Sequence, residues 1–157
     1  MAEERYYLTQ EGFEKIEREL QYLKTVRRQE VAARLHAALQ EGGELGEDAE
    51  YEDAKNEQAF VEGEIARLEL ILASAELINE NRPKDVISMG SHVKLREKGT
   101  TDDEEYHIVG EAEANPSEGK ISYKSPLGEA LMGHKVKDEV VVDAPDGKIR
   151  FVVLSIK

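Results

Sequence analysis

The sequence predicts an α+β protein: an N-terminal antiparallel coiled-coil hairpin over residues 1–81, then a small antiparallel β domain with one short helix over residues 82–157. Two runs of apolar residues at 3-4 spacing flank a break made by Gly42, Gly43 and Gly46, the pattern of paired helices joined by a turn. Beyond Val86 the apolar period changes to two, the period of strands. Between these regions, Asn79-Glu-Asn-Arg-Pro83 reads as a helix end and linker.

The first helix opens at Thr9, a residue suited to capping, with Leu8 and Phe13 placed as a hydrophobic staple. Gly12 stands where a capping-box carboxylate would be, so the box is incomplete. The seam begins at Phe13, Ile16, Leu20 and Leu23, and strict continuation would put Arg27, Glu30 and Arg34 inside. Val31, Leu35 and Ala38 carry it better, so the seam slips between Leu20 and Val31. The helix is expected to run to Gln40, and roughly thirty residues at 1.5 Å each reach about 45 Å. The second seam is regular: Tyr51, Ala54, Gln58, Val61, Ile65, Leu68, Leu72, Ala75. Asp48 or a neighbour can cap this helix, whose first turn is acidic.

In the second half, Ser91–Arg96, Tyr106–Val109, Lys120–Tyr123, Glu139–Val142 and Ile149–Ile156 read as strands, the last two joined at Asp146-Gly147. Ser125–Gly133 reads as a short helix with proline in its first turn.

Composition limits the function. With no cysteine, thiolate metal sites and disulfides are excluded. No run of about 18 apolar residues occurs, and the N-terminus lacks a signal-peptide core, so a cytoplasmic protein is expected. The net charge of −13 opposes direct docking on nucleic acid. The imbalance is concentrated: 10 basic against 20 acidic residues up to position 83, then 11 against 14. The histidines show no metal-ligand spacing, and no phosphate loop or nucleophile motif occurs, so a self-sufficient enzyme is not expected.

The chemistry gathers at the break, residues 41–51. Seven carboxylates fall within positions 41–53 with no lysine or arginine among them. Glu44 and Glu47 are three apart beside glycines, a spacing that lets both point off the tip. Such a pair suits Mg²⁺ but cannot enclose it, so the remaining ligands would come from another molecule. The alternative is an ordinary solvated acidic loop. Below the tip, Lys24, Arg27, Arg28 and Arg34 form a basic stretch that either guides a single-stranded nucleic acid or is plain surface charge. Lys55, one turn past Tyr51, is the first cation after the acid cluster.

Leu8-Thr-Gln-Glu-Gly-Phe13, Tyr22-Leu-Lys-Thr-Val-Arg-Arg28, Gly43-Glu-Leu-Gly-Glu-Asp-Ala-Glu-Tyr51 and Ser125-Pro-Leu-Gly-Glu-Ala-Leu-Met-Gly133 occur in this order. Together they resemble the bacterial Gre transcript cleavage factors across essentially the whole chain. The family pattern at the tip is Gly-Asp-Leu-x-Glu-Asn-Ala-Glu-Tyr; here Glu44 replaces the first acid, one methylene longer, and Asp48 replaces the Asn. The resemblance implies a C-terminal domain similar to the FKBP fold and a hairpin that enters the secondary channel of backtracked RNA polymerase. There Glu44 and Glu47 would help hold a Mg²⁺ shared with the polymerase, which cleaves the 3′ end of the nascent RNA. Arg27, Arg28 and Lys55 would contact RNA, and Pro126 and Leu127 would dock on the polymerase. The implied role is an activator without an active site of its own, acting as a monomer.

Rival readings are distinguishable. A Gre-like paralogue would bind the same channel and inhibit. A prolyl isomerase or chaperone would need an aromatic-lined pocket, for which residues 84–157 offer only Tyr106, Tyr123 and Phe151. A coiled-coil scaffold would be a dimer in light scattering.

Overall fold

The computed structural model describes residues 5–41 and 49–157, with the Glu41 side chain left aside. The chain forms two compact units: Phe13–Ser74, and the segment up to Gly12 together with Ala75–Lys157. Periodicity and the linker at Asn79–Pro83 predict a hairpin over residues 1–81. The different division comes from two three-residue strands, β1 (Tyr6–Leu8) and β2 (Ala75–Leu77), which pair in parallel with Leu8 opposite Leu77. Leu8 is fully buried.

The hairpin unit holds helix α1 (Gln10–Tyr22, whose first turn belongs to the other unit), a π-helical turn (Leu23–Arg27), α2 (Arg28–Glu41) and α3 (Ala49–Ala73). The π turn accounts for the slipped seam. It closes with the Arg28 N–H donating to the Leu23 carbonyl, five residues back, so one extra residue is taken up without advancing the helix phase. The strict seam positions 27, 30 and 34 therefore become 28, 31 and 35, and Val31 and Ala38 are buried while Leu35 is half-buried. Within the turn the Thr25 hydroxyl donates to the Gln21 carbonyl at 2.7 Å, a side-chain bond known to bend helices. Val31 packs with Val61 and Ile65, flanked by Leu20 and Leu23.

On α3, Ala54, Val61, Ile65 and Leu68 are buried as the spacing predicts, but two seam positions differ. Gln58 is exposed and Glu57 turns inward, and Ile71 is buried where Leu72 was expected, leaving Leu72 half-buried. A straight helix of 3.6 residues per turn drifts from a 3.5 repeat, and Glu57 finds Arg27 and Arg34 as partners across the seam.

The C-terminal unit is a five-stranded sheet in the order β5-β4-β3-β7-β6, formed by β3 (His92–Glu97), β4 (Asp103–Val109), β5 (Lys120–Ser122), β6 (Glu139–Ala144) and β7 (Gly147–Ile156). Pairing is antiparallel except at the edge, where β5 runs parallel to β4. Helix α4 (Pro126–Leu131) covers one face, and Leu131 joins Val93, Leu95, Ile108, Val140 and Val153 in the core. Alternation does the sorting: Val93 and Leu95 point in, His92 and Lys94 point out.

Two close approaches fix local packing. A Cβ on Gly110 would lie 2.0 Å from the Tyr7 carbonyl oxygen, so only glycine lets β1 cross the end of β4. At the start of α1, the Thr9 hydroxyl accepts from the Gly12 N–H at 2.9 Å and donates to Glu113 at 2.6 Å, while the Thr9 N–H donates to the same carboxylate at 2.7 Å. Glu113 therefore supplies from 104 residues away the carboxylate that the local capping box lacks. It fits because residue 12 has no side chain: a Cβ there would sit 2.2 Å from the Glu113 carboxyl carbon.

Candidate functional site

Glu44 and Glu47 lie outside the described residues, as does Asp48, the expected cap. The structure describes the two helix ends that lead to them. Ion pairs join Lys24 to Glu69 at 2.8 Å, Arg28 to Glu62 at 2.8 Å, and Arg34 to Glu57. These pairs nest around the turn, the later partner falling as the earlier rises, so α2 and α3 run antiparallel. The acidic stretch thus joins the far ends of two helices, α3 alone spanning 25 residues, about 37 Å at 1.5 Å per residue.

α3 begins at Ala49 with Glu50 and Glu52 in its first turn, where negative charge suits the helix dipole. Tyr51 is half-buried, and the Lys55 ammonium lies 5.3 Å from the centre of its ring. Among the described residues no carboxylate lies within ion-pair distance of Lys55. Lys55 is held by an aromatic face, an arrangement that leaves its charge available.

The basic stretch below the tip is differently placed. Arg28 makes two bonds to Glu62, at 2.8 and 2.9 Å, and this hydrogen-bonded pairing raises the arginine pKa and lowers that of the glutamate. Arg27 pairs with Glu30 at 3.2 Å and with Glu57. Spacing alone does not reveal the pairing between the arms, because Glu57 and Glu62 lie 30 and 34 residues beyond Arg27 and Arg28. Folding the two arms about the glycine break would have exposed it. The arginines cross-link the arms at rest, and contact with any other anion requires an exchange of partners. Arg28 and Glu62 are both about half exposed, so the exchange costs little.

On the C-terminal unit, Pro126 is exposed at the first turn of α4 and Leu127 is half-buried, packed against the core. Ser125 caps the helix, its hydroxyl accepting from the Gly128 N–H at 3.1 Å and donating to the Ser122 carbonyl at 2.6 Å. Gly128 permits this seat, since a Cβ would lie 2.1 Å from that carbonyl oxygen. Pro126 is thus offered on a rigid corner, while Leu127 chiefly anchors it.

Among the described residues, no three His, Asp or Glu side chains converge on a metal position, and no helix is long and apolar enough to cross a membrane.

Comparison with known proteins matches the two halves separately. The family model described as "Transcription elongation factor, N-terminal" covers residues 6–77, and "Transcription elongation factor, GreA/GreB, C-term" covers 82–157. The transcription elongation factor GreA of Clostridium botulinum (strain Langeland) is 47% identical over 153 residues, 97% of this chain and 95% of that protein. This chain belongs to the GreA/GreB family of transcription elongation factors. GreA of Clostridium acetobutylicum is also 47% identical, over 99% of this chain and 98% of its own length. Among solved structures, the GreA factor homolog 1 (Gfh1) protein of Thermus thermophilus is 34% identical over 98% of this chain and 99% of its own, with a TM-score of 0.46. As a GreA/GreB family member the chain has the expected α+β fold of helical hairpin and β unit.

Proposed function

We propose that this protein enters the secondary channel of RNA polymerase by its hairpin and stimulates cleavage of the 3′ end of backtracked RNA. The observation that carries the reading is the antiparallel pair of long helices whose far ends are joined by an acidic, glycine-containing sequence, in a chain 47% identical to GreA proteins over nearly its whole length. Glu44 and Glu47 are the acids assigned to the reaction. Their carboxylates are hard oxygen donors of the kind Mg²⁺ takes, and two of them are too few to retain the ion alone. A Mg²⁺ held jointly with the polymerase would supply a Lewis acid and an activated water.

The chain's own residues deliver and orient. The Val31, Val61 and Ile65 contacts and the Arg34–Glu57 pair join the arms, so they stay together while Arg27 and Arg28 change partners. Lys55, held over the Tyr51 ring, steadies the RNA backbone near the tip. Arg27 and Arg28 exchange their glutamates for phosphates as the strand lies along the shaft. Pro126, on the corner that Ser125 caps, docks on the polymerase surface, offsetting the repulsion between an acidic protein and nucleic acid. The protein is an activator, and chemistry takes place only in the complex.

A purified, stalled and backtracked polymerase complex tests this. Glu44→Gln/Glu47→Gln should bind as the unaltered protein does, yet lose cleavage by on the order of 100-fold. Unchanged RNA shortening by that variant overturns the role of the tip. A protein that binds and slows elongation without promoting cleavage is an inhibitory relative instead.

A further inference from the structure

Cross-strand register places an unassigned group of side chains on the outer face of the sheet. Lys120 on β5 stands opposite His107 on β4, and His107 opposite His92 on β3. One step along, Glu105 stands opposite Lys94, and Lys157 follows the end of β7. This row lines a cleft of about 380 Å³, within the roughly 300–1,000 Å³ of small-molecule sites. The imidazoles of His92 and His107 are stacked, centres 3.9 Å apart and planes 16° from parallel.

The cleft is lined by three lysines, Lys94, Lys120 and Lys157, against two glutamates, Glu105 and Glu118, a small cationic excess in a chain of net charge −13. Lys120 has Glu118 at 3.8 Å, but among the described residues no carboxylate is within ion-pair distance of Lys94 or Lys157. Arg82 adds its charge from beside the histidines, donating to the Gly90 carbonyl at 2.6 Å and the Lys157 carbonyl at 3.2 Å, and its buried Nε finds no hydrogen-bond partner among the described residues. Burial and the nearby cations act together on the imidazoles. Burial, then His92, Lys120 and Arg82, hold His107 down to about 4, and burial and Arg82 lower His92 as well, although Glu105 pulls the other way. Both rings are thus neutral near pH 7, a stacked aromatic pair bordered by Lys94, Lys120 and Lys157.

We propose that this cleft binds a phosphorylated small molecule of mononucleotide size, its phosphate among Lys94, Lys120 and Lys157 and its base against the His92–His107 stack. The proposal is independent of the hairpin and its tip.

Titration of the full chain with AMP, followed through the imidazole NMR signals, tests it. The resonances of His92 and His107 should shift saturably with half-saturation at about 1 mM or tighter, while those of His36 and His134 stay in place. Adenosine alone and inorganic phosphate alone should each bind at least about tenfold more weakly, as should AMP to Lys94→Ala/Lys120→Ala. If that variant melts early, Lys120→Gln serves in its place. No shift, equal shifts of all four histidines, or phosphate binding as tight as AMP overturns the proposal. So does a short RNA that binds more than about tenfold tighter than AMP, which would make the face a strand-binding surface.

Discussion

Gly12 and Glu113 should be coupled in a way that reverses the sign of a substitution. The Glu113 carboxylate makes two bonds to Thr9, at 2.7 and 2.6 Å, in a partly buried setting. Charge-assisted bonds contribute about 1.5–3 kcal/mol and a helix cap about 1, so Glu113→Ala should cost about 2 kcal/mol. Gly12→Ala gains about 1 kcal/mol of helix propensity, but its Cβ would lie 2.2 Å from the Glu113 carboxyl carbon and would displace the cap. In the unaltered protein that substitution should therefore destabilise by about 1 kcal/mol. In the Glu113→Ala background the obstruction is gone, and Gly12→Ala should stabilise by about 1 kcal/mol. Urea unfolding reads all four proteins, followed by tyrosine emission, since Tyr7 and Tyr123 meet edge to face at 5.8 Å in the same unit. If Gly12→Ala has the same sign in both backgrounds, the long-range cap is not what holds this helix start.

Stability of the C-terminal unit should depend on pH through His107. Its folded pKa, about 4, is below the ordinary 6.5, so the unfolded chain takes up the proton first and stability falls as pH drops from about 6.5 toward 4. The full shift corresponds to about 3 kcal/mol, and partial exposure reduces this to about 1–2; His107→Gln should flatten the urea midpoint across that window, and an unaltered slope refutes the assignment. Gly128→Ala, whose Cβ meets the backbone oxygen of Ser122 at 2.1 Å, should cost about 1–3 kcal/mol by calorimetry; a neutral result would mean α4 is not seated as described. Deleting Thr25 should convert the π turn into α-helix and keep the hairpin folded with its melting temperature unchanged or raised, whereas deleting Ala32 should lower it. Equal effects of the two deletions, read by circular dichroism, would refute the phase argument.

Much of this was legible in the sequence because period and turn chemistry are local. The two arms, the strand regions and the Pro126 helix follow from spacing, and even the π turn left its trace in the slip between Leu20 and Val31. What was hidden depends on residues distant in the chain. Three-residue strands such as Tyr6–Leu8 carry too little pattern to announce a partner at Ala75–Leu77. Glu57 displaced Gln58 from the seam because two arginines of the other arm reach it. The basic shaft looked like an open track until α3 supplied a glutamate for each cation. The stacked histidines, 15 residues apart, were dismissed for lack of spacing, yet strand register sets them face to face. At the tip, sequence remains the guide: Glu44 and Glu47 rest on their spacing and on the family resemblance, and lie outside the described residues.

Among the described residues, the five-residue π turn is the place where the first arm can change length. A residue lost there is absorbed as the wide turn tightens, and the far half keeps its heading. One lost anywhere nearer the tip shortens the shaft by only about 1.5 Å but swivels the acids by about 100°. In the proposed role, where the hairpin presents two carboxylates to a fixed target, aim is a far stricter requirement than reach.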